Sequence, residues 1–145
     1  MKFSTKSRYA LRFMVDLAIY SQGNYIPLKE ISKRQGISSK YLEQIISLFH
    51  KNGYLKSVRG PQGGYMLSKS PAEYTLGDIL RVTEGNLAPI PCLMPDENEC
   101  ARQGSCSTLS FWSGLNDAIA EYVDSFTLAD LTEKQRGLDG MDFSI

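Results

Sequence analysis

The 145-residue sequence predicts a mainly α-helical fold with one small β-hairpin. Three observations predict it. Apolar residues recur at three and four spacing through the first third of the chain, two β-leaning runs flank the glycine-rich "GPQGG" of residues 60–64, and a long apolar stripe begins after residue 107.

Ala10, Leu11, Met14, Val15, Leu17 and Ala18 share one stripe, which predicts a first helix over Ser7–Gln22 with Gly23 placed to end it. After Pro27, "LKEISKRQ" is a short second helix closed by Gly36. Ser38 then supplies an N-cap for a third, "SKYLEQIISLFHKN", with Leu42, Ile45, Ile46 and Phe49 inward. Its other face carries Ser39, Lys40, Glu43, Gln44, Ser47 and Lys51. Two helices joined by a glycine-containing turn, the second with polar side chains outward, are what a helix-turn-helix needs to set hydrogen-bonding groups against base edges.

"YLKSVR" and "YMLSK" predict two strands, and Pro61 with the glycines around it suits the tight turn between them. The hairpin reads as a wing. Arg59 sits at its shoulder, where a planar cation reaches a phosphate or a narrow minor groove. A phosphate cradle is the rival reading of the glycines, but no Lys-Ser/Thr pair and no helix follow them. Thr75, with Asp78 three residues on, caps a short helix over Leu76–Glu84 that Gly85 stops. Some twenty residues without helical or strand period come next, a length that is uncommon inside small domains unless functional or disordered.

Trp112, Leu115, Ile119, Tyr122 and Phe126 recur at spacings of 3, 4, 3 and 4, a coiled-coil-like seam on a helix over Ser107–Ser125. Such a helix pairs with a second copy or folds back on its own domain, and a seam of this length favours pairing. "TLAD" begins another short helix, and "RGLDGMDFSI" reads as a frayed tail.

The formal net charge of zero hides an asymmetry. Over residues 1–70, twelve Lys and Arg face only Asp16, Glu30 and Glu43, a balance of +9, and the remainder of the chain carries −9. The first half is therefore suited to a polyanion. No run approaches the roughly 20 apolar residues of a membrane span. The first apolar stretch is broken by Arg12 and Asp16 and lacks a cleavage site, so a cytoplasmic protein is expected. G-x-S-x-G, H-E-x-x-H and G-x-G-x-x-G are absent and His50 is the single histidine, which argues against an enzyme.

All three cysteines lie in "PCLMPDENECARQGSC", residues 91–106. In a reducing compartment, clustered thiols bind metal or do redox chemistry more often than they form disulfides. Thiolates are soft ligands for zinc, copper(I) or iron-sulfur clusters. The C-x7-C-x5-C spacing matches neither structural zinc sites nor common ferredoxin runs, so cluster, zinc and free or redox-active thiols all remain open by spacing alone.

"STKSRYAL", "ISKRQGISSKYLEQI", "FHKNGYLKSVRGPQGGYML" and the three-cysteine loop resemble the Rrf-type winged-helix transcription regulators over about residues 1–135. The resemblance is nearest to the iron-sulfur cluster branch, IscR, with the NsrR and CymR branches more distant. It implies a homodimer that binds palindromic double-stranded DNA operators, with the third helix in the major groove and the wing at the minor groove. By position, Ser38, Ser39, Lys40, Tyr41, Glu43 and Gln44 become the recognition-helix candidates, and Arg59 and Gly60 the wing candidates. It also implies an iron-sulfur cluster, two-iron in preference to four-iron, held by Cys92, Cys100 and Cys106. The IscR branch takes a fourth ligand from a histidine three residues beyond the last cysteine, where this chain has Leu109. Its first two cysteines are also closer together than here. Another branch uses an acid near the N-terminus, where this chain has Ser7 and Arg8. The fourth ligand is unassigned among Ser107, Ser110, the acids of "PDENE", Asp117, a thiol and solvent. His50, at a helix end, reads as structural. The resulting organisation is a winged helix-turn-helix over 1–85, a cluster-binding loop over 86–106, a dimerisation helix with a short following helix over 107–136, and a flexible tail over 137–145.

Overall fold

The computed structural model describes residues 2–94, 102 and 104–142; Cys100 and the "PDENE" acids lie outside them. Helix α1 spans Thr5–Tyr20, and the Ser4 hydroxyl accepts the Ser7 N–H at 3.1 Å to cap it. It starts two residues earlier than the apolar period implies because a polar cap, not an apolar residue, sets its origin. Ala10, Phe13, Met14 and Leu17 are buried along it. Helix α2, Leu28–Gln35, ends at Gly36, whose φ of +65° is the left-handed value that a side chain disfavours. Helix α3, Ser39–Lys51, is capped by the Ser38 hydroxyl, which accepts the Tyr41 N–H at 3.2 Å. Leu42, Ile45, Ile46 and Phe49 all face the core, as their spacing predicts.

Strands β1, Leu55–Val58, and β2, Gly64–Leu67, pair antiparallel with Val58 opposite Gly64. The wing is anchored to the body by a bridge between Ile26 and Tyr65, which exchange backbone hydrogen bonds of 2.8 and 2.9 Å. Gly64 makes this approach possible: a Cβ there would lie 2.3 Å from the Ile26 carbonyl oxygen. Beneath the wing the fully buried Tyr74 donates its hydroxyl to the Tyr54 carbonyl at 2.8 Å and accepts the Ser68 and Lys69 N–H groups, each at 3.1 Å.

Helix α4, Leu76–Glu84, carries the Thr75/Asp78 capping box that its sequence predicts. Helices α5, Leu109–Asp124, and α6, Leu128–Asp142, complete the chain. The C-terminal end of α5 is pinned to the start of α4. The Leu76 N–H donates to the Phe126 carbonyl, the Leu128 N–H to the Tyr74 carbonyl, and the Arg81 guanidinium grips both oxygens of Asp124 at 2.8 and 2.9 Å. Gly77 leaves room for this carboxylate.

Helix α6 corrects one expectation, since residues 137–142, read as tail, are helical. Gly137 and Gly140 blur the sequence period there, but Leu131 and Leu138 line a groove with Leu11, Val15 and Ile19 of α1, and this packing carries the helix on. No described helix is long and apolar enough to cross a membrane.

The pin makes a prediction. Hydrogen bonding to Arg81 holds the Asp124 carboxyl below its ordinary range, and hydrogen bonding to Ser7 and Ser4 does the same for Glu84. A depressed folded-state value means that stability is fully present above the unfolded pKa, about 4 for these groups, and is lost as pH falls through the folded value. Wild-type thermal midpoints should therefore drop on acidification below about pH 4. Arg81→Met should drop less steeply while starting lower at pH 7; parallel curves in a melting series would exclude the pin as a contributor.

Candidate nucleic-acid interface and cysteine segment

Ser38, Ser39, Lys40, Glu43 and Gln44 are exposed along the first half of α3, with Ser47 and Lys51 continuing the same polar face. This follows from the cap and the period together: Ser38 starts the helix, and burying Leu42, Ile45, Ile46 and Phe49 turns the polar positions outward. Tyr41 is different. It is half-buried, with its ring edge-on to Tyr9 of α1, centroids 5.5 Å apart, so part of its surface is engaged in packing. Arg59 and Gly60 are exposed just beyond β1, Gly60 at a φ of +107° that aims the wing loop outward. His50 lies 3.2 Å from the Ser57 hydroxyl, tying the end of α3 to β1, a structural position.

One residue that spacing did not single out joins this face. Lys6, in the first turn of α1, lines one open cleft with Lys40, Glu43, Gln44, Ser47 and Leu48. Only its place in the basic "STKSR" run could have pointed to it, because nothing in a sequence says that α1 starts beside α3.

The cysteines bracket the segment between α4 and α5. Cys92 is half-buried within a 3-10 turn, Pro91–Leu93, that packs near α5, where Leu93 shares a pocket with Asn116, Ile119 and Ala120. Upstream, the Asn86 side chain accepts the Ala88 N–H at 2.6 Å and Leu87 is buried. Cys106 is exposed at the approach to α5, its carbonyl accepting the Leu109 N–H. The Thr108 hydroxyl, 3.3 Å from its sulfur, together with nearby backbone N–H groups pulls this thiol below its usual range. Two free thiols are a donor set suited to a soft metal centre. Leu109, at the position of the branch's histidine, is the first residue of α5 and offers no donor. Ser110 and Asp117 are exposed on α5. Among the described residues no three His, Cys, Asp or Glu side chains converge.

The long helix shows a register different from the predicted seam. Trp112, Ile119 and Phe126 are half-buried, and Ile119 lines a pocket with Arg81 of α4. Phe111, Leu115 and Tyr122 are exposed at 65%, 37% and 67% and form a stripe of their own. The single apolar seam therefore divides: its half-buried members serve the parent domain, and Phe111 joins Leu115 and Tyr122 on the open side.

Comparison with known proteins decides the family. The Rrf2 model, described as an iron-dependent transcriptional regulator, matches residues 3–134. The chain belongs to the Rrf2 family. Among Rrf2-type relatives, the HTH-type transcriptional regulator IscR of Pectobacterium carotovorum is 38% identical over 142 residues, covering 98% of this chain and 85% of that protein. IscR of Escherichia coli O1:K1 is 36% identical over 139 residues, covering 96% and 85%. The solved structure of CymR, the global cysteine regulator of B. subtilis, superposes with a TM-score of 0.74 at 38% identity, covering 92% of this chain and 98% of that one. T. potens IscR gives 0.73 at 39%, covering 93% and 88%. The Rrf2 winged-helix fold expected from the sequence is thus the observed one, and the protein is a DNA-binding transcriptional regulator, not an enzyme.

Proposed function

We propose that this Rrf2 regulator is a cytoplasmic homodimer that reads a palindromic operator under the control of an iron-sulfur cluster held by Cys92, Cys100 and Cys106. The observation that carries the reading is the place of the two described thiols, Cys92 within and Cys106 at the far end of the segment that joins the winged-helix body to α5. Ser38, Ser39, Lys40, Glu43 and Gln44 would meet base edges and phosphates in the major groove, with Tyr41 contributing its exposed edge, while Arg59 and Gly60 present the wing to the minor groove. The open Phe111, Leu115 and Tyr122 stripe would pair with its copy, giving two recognition helices related by a twofold axis.

A cluster supplies a centre sensitive to oxidant, nitric oxide and iron-sulfur supply, and the two-iron form is favoured over the four-iron form. The chain supplies the rest. Segment 86–108 converts ligation into shape: each backbone residue it orders forgoes about 1–2 kcal/mol of conformational freedom, so ligand loss releases it. A difference of only about 1–3 kcal/mol between the two shapes alters operator affinity roughly 5- to 150-fold.

The test is anaerobic purification with visible absorption and iron and sulfide analysis, repeated with Cys92→Ala. Stoichiometric iron and sulfide in wild type and their loss in the variant are expected; colourless, iron-free wild-type protein would overturn the cluster. The exposed free thiol of Cys106 favours one second reading, a cluster-free regulator of the same fold governed by thiol oxidation or a partner protein. It predicts operator binding that responds to peroxide in the absence of iron and is insensitive after Cys106→Ser.

A further inference from the structure

The cleft between α1 and α3 holds more than recognition-helix residues. Lys6 is half-buried in the first turn of α1 and lines the same cleft as Lys40, Glu43, Gln44 and Ser47. None of these five side chains makes a hydrogen bond or ion pair among the described residues. Two unpaired ammonium groups beside the outward face of a recognition helix complement one ligand above others, a phosphate strand lying along the groove edge.

The turn that carries Lys6 is held in an unusual way. Glu84, the last residue of α4, directs one carboxylate oxygen at α1 and accepts the Ser4 N–H and the Ser4 hydroxyl, each at 2.8 Å, and the Ser7 hydroxyl at 2.5 Å. Ser7 is wholly buried, and its hydroxyl also lies 2.6 Å from that of Thr83. Residues on both sides of Lys6 are thus fastened to α4, which fixes the height of its side chain along α3.

We infer that the DNA interface extends to the first turn of α1, with Lys6 contacting the sugar-phosphate backbone beside the recognition helix and Glu84 acting as its positioning residue. The inference rests on reading α3 as the groove-entering helix. Lys6 makes register contacts, not base contacts, so its loss weakens operator and unrelated DNA alike. Glu84 touches no DNA and acts only through the turn.

Fluorescence anisotropy with a labelled operator and a scrambled duplex, over a series of salt concentrations, tests both roles in the full-length protein. Lys6→Ala should bind both duplexes several-fold more weakly, with the log-log salt slope reduced by about 0.9 for each phosphate that Lys6 neutralises. Glu84→Ala should lose affinity to a similar extent, add nothing in the Lys6→Ala background, and be restored by Glu84→Gln, whose amide oxygen still accepts. Circular dichroism melts confirm that each variant is folded at the assay temperature. An unchanged salt slope in Lys6→Ala overturns the inference. If Gln44→Ala relaxes operator preference at the same time, the α3 interface survives that failure; if Gln44→Ala is also silent, the interface reading falls with it. Additive losses in Glu84→Ala/Lys6→Ala would overturn the positioning role alone.

Discussion

Replacing Arg34 by alanine is expected to lower stability by up to about 3–5 kcal/mol, the consequence of leaving a buried carboxylate without its charged partner. Asp16 is 1% exposed within α1. Its carboxylate accepts Arg34 Nε at 3.0 Å and Nη2 at 2.8 Å, and Gln35 Nε2 at 2.9 Å. The guanidinium is itself stacked 3.9 Å from the Tyr20 ring centroid. Without it the acid would keep only the Gln35 hydrogen bond. This pair fixes α2 against α1, and α2 in turn positions α3, so the loss should also blunt operator binding at temperatures where the protein remains folded. Urea unfolding with an unchanged m-value reads the effect directly. The double replacement Asp16→Leu with Arg34→Met should recover much of the loss, because removing both charges removes the stranded one. A midpoint in Arg34→Ala equal to wild type would refute the argument.

Gly64→Val should be the most damaging change in the wing. Its Cβ would meet the Ile26 carbonyl oxygen at 2.3 Å and the Pro27 nitrogen at 2.8 Å, both backbone atoms with nowhere to go. The Ile26–Tyr65 bridge would open and its two backbone hydrogen bonds would break, for about 2–4 kcal/mol including the overpacking. Hydrogen exchange should show Ile26 and Tyr65 amides losing protection before those of α3, and footprinting should lose the minor-groove flank before the major-groove centre. Wild-type protection at Tyr65 would show that the wing is not anchored there.

Helix ends with chemistry of their own were legible in the sequence. Gly36 and the Thr75/Asp78 box set the limits of α2 and α4 at the predicted residues, because caps act through one or two local hydrogen bonds. The outward face of α3 was legible for the same reason, since period and cap agree. What escaped depends on partners distant in sequence. Ser4 starts α1 with help from Glu84, eighty residues away; α6 continues past Gly137 because α1 lies alongside; and Ile119 and Leu115, equal members of one seam on paper, part company once α4 takes one of them. Tyr41 belongs to both sets. It lies on α3, where the sequence puts it, yet its ring is shared with Tyr9.

The grip of Arg81 on Asp124 has a mechanical consequence. Helix α5 is clamped at one extremity and joined to α4 through the thiol-bearing stretch at the other, so any tilt would make it a lever with its fulcrum beside Gly77. Its 16 residues give an arm of about 24 Å, and a tilt of about 10° at the fulcrum swings the far tip by roughly 4 Å. Small adjustments where Cys106 sits would thereby be spread along the whole apolar edge that Phe111, Leu115 and Tyr122 expose, with Phe111 travelling farthest.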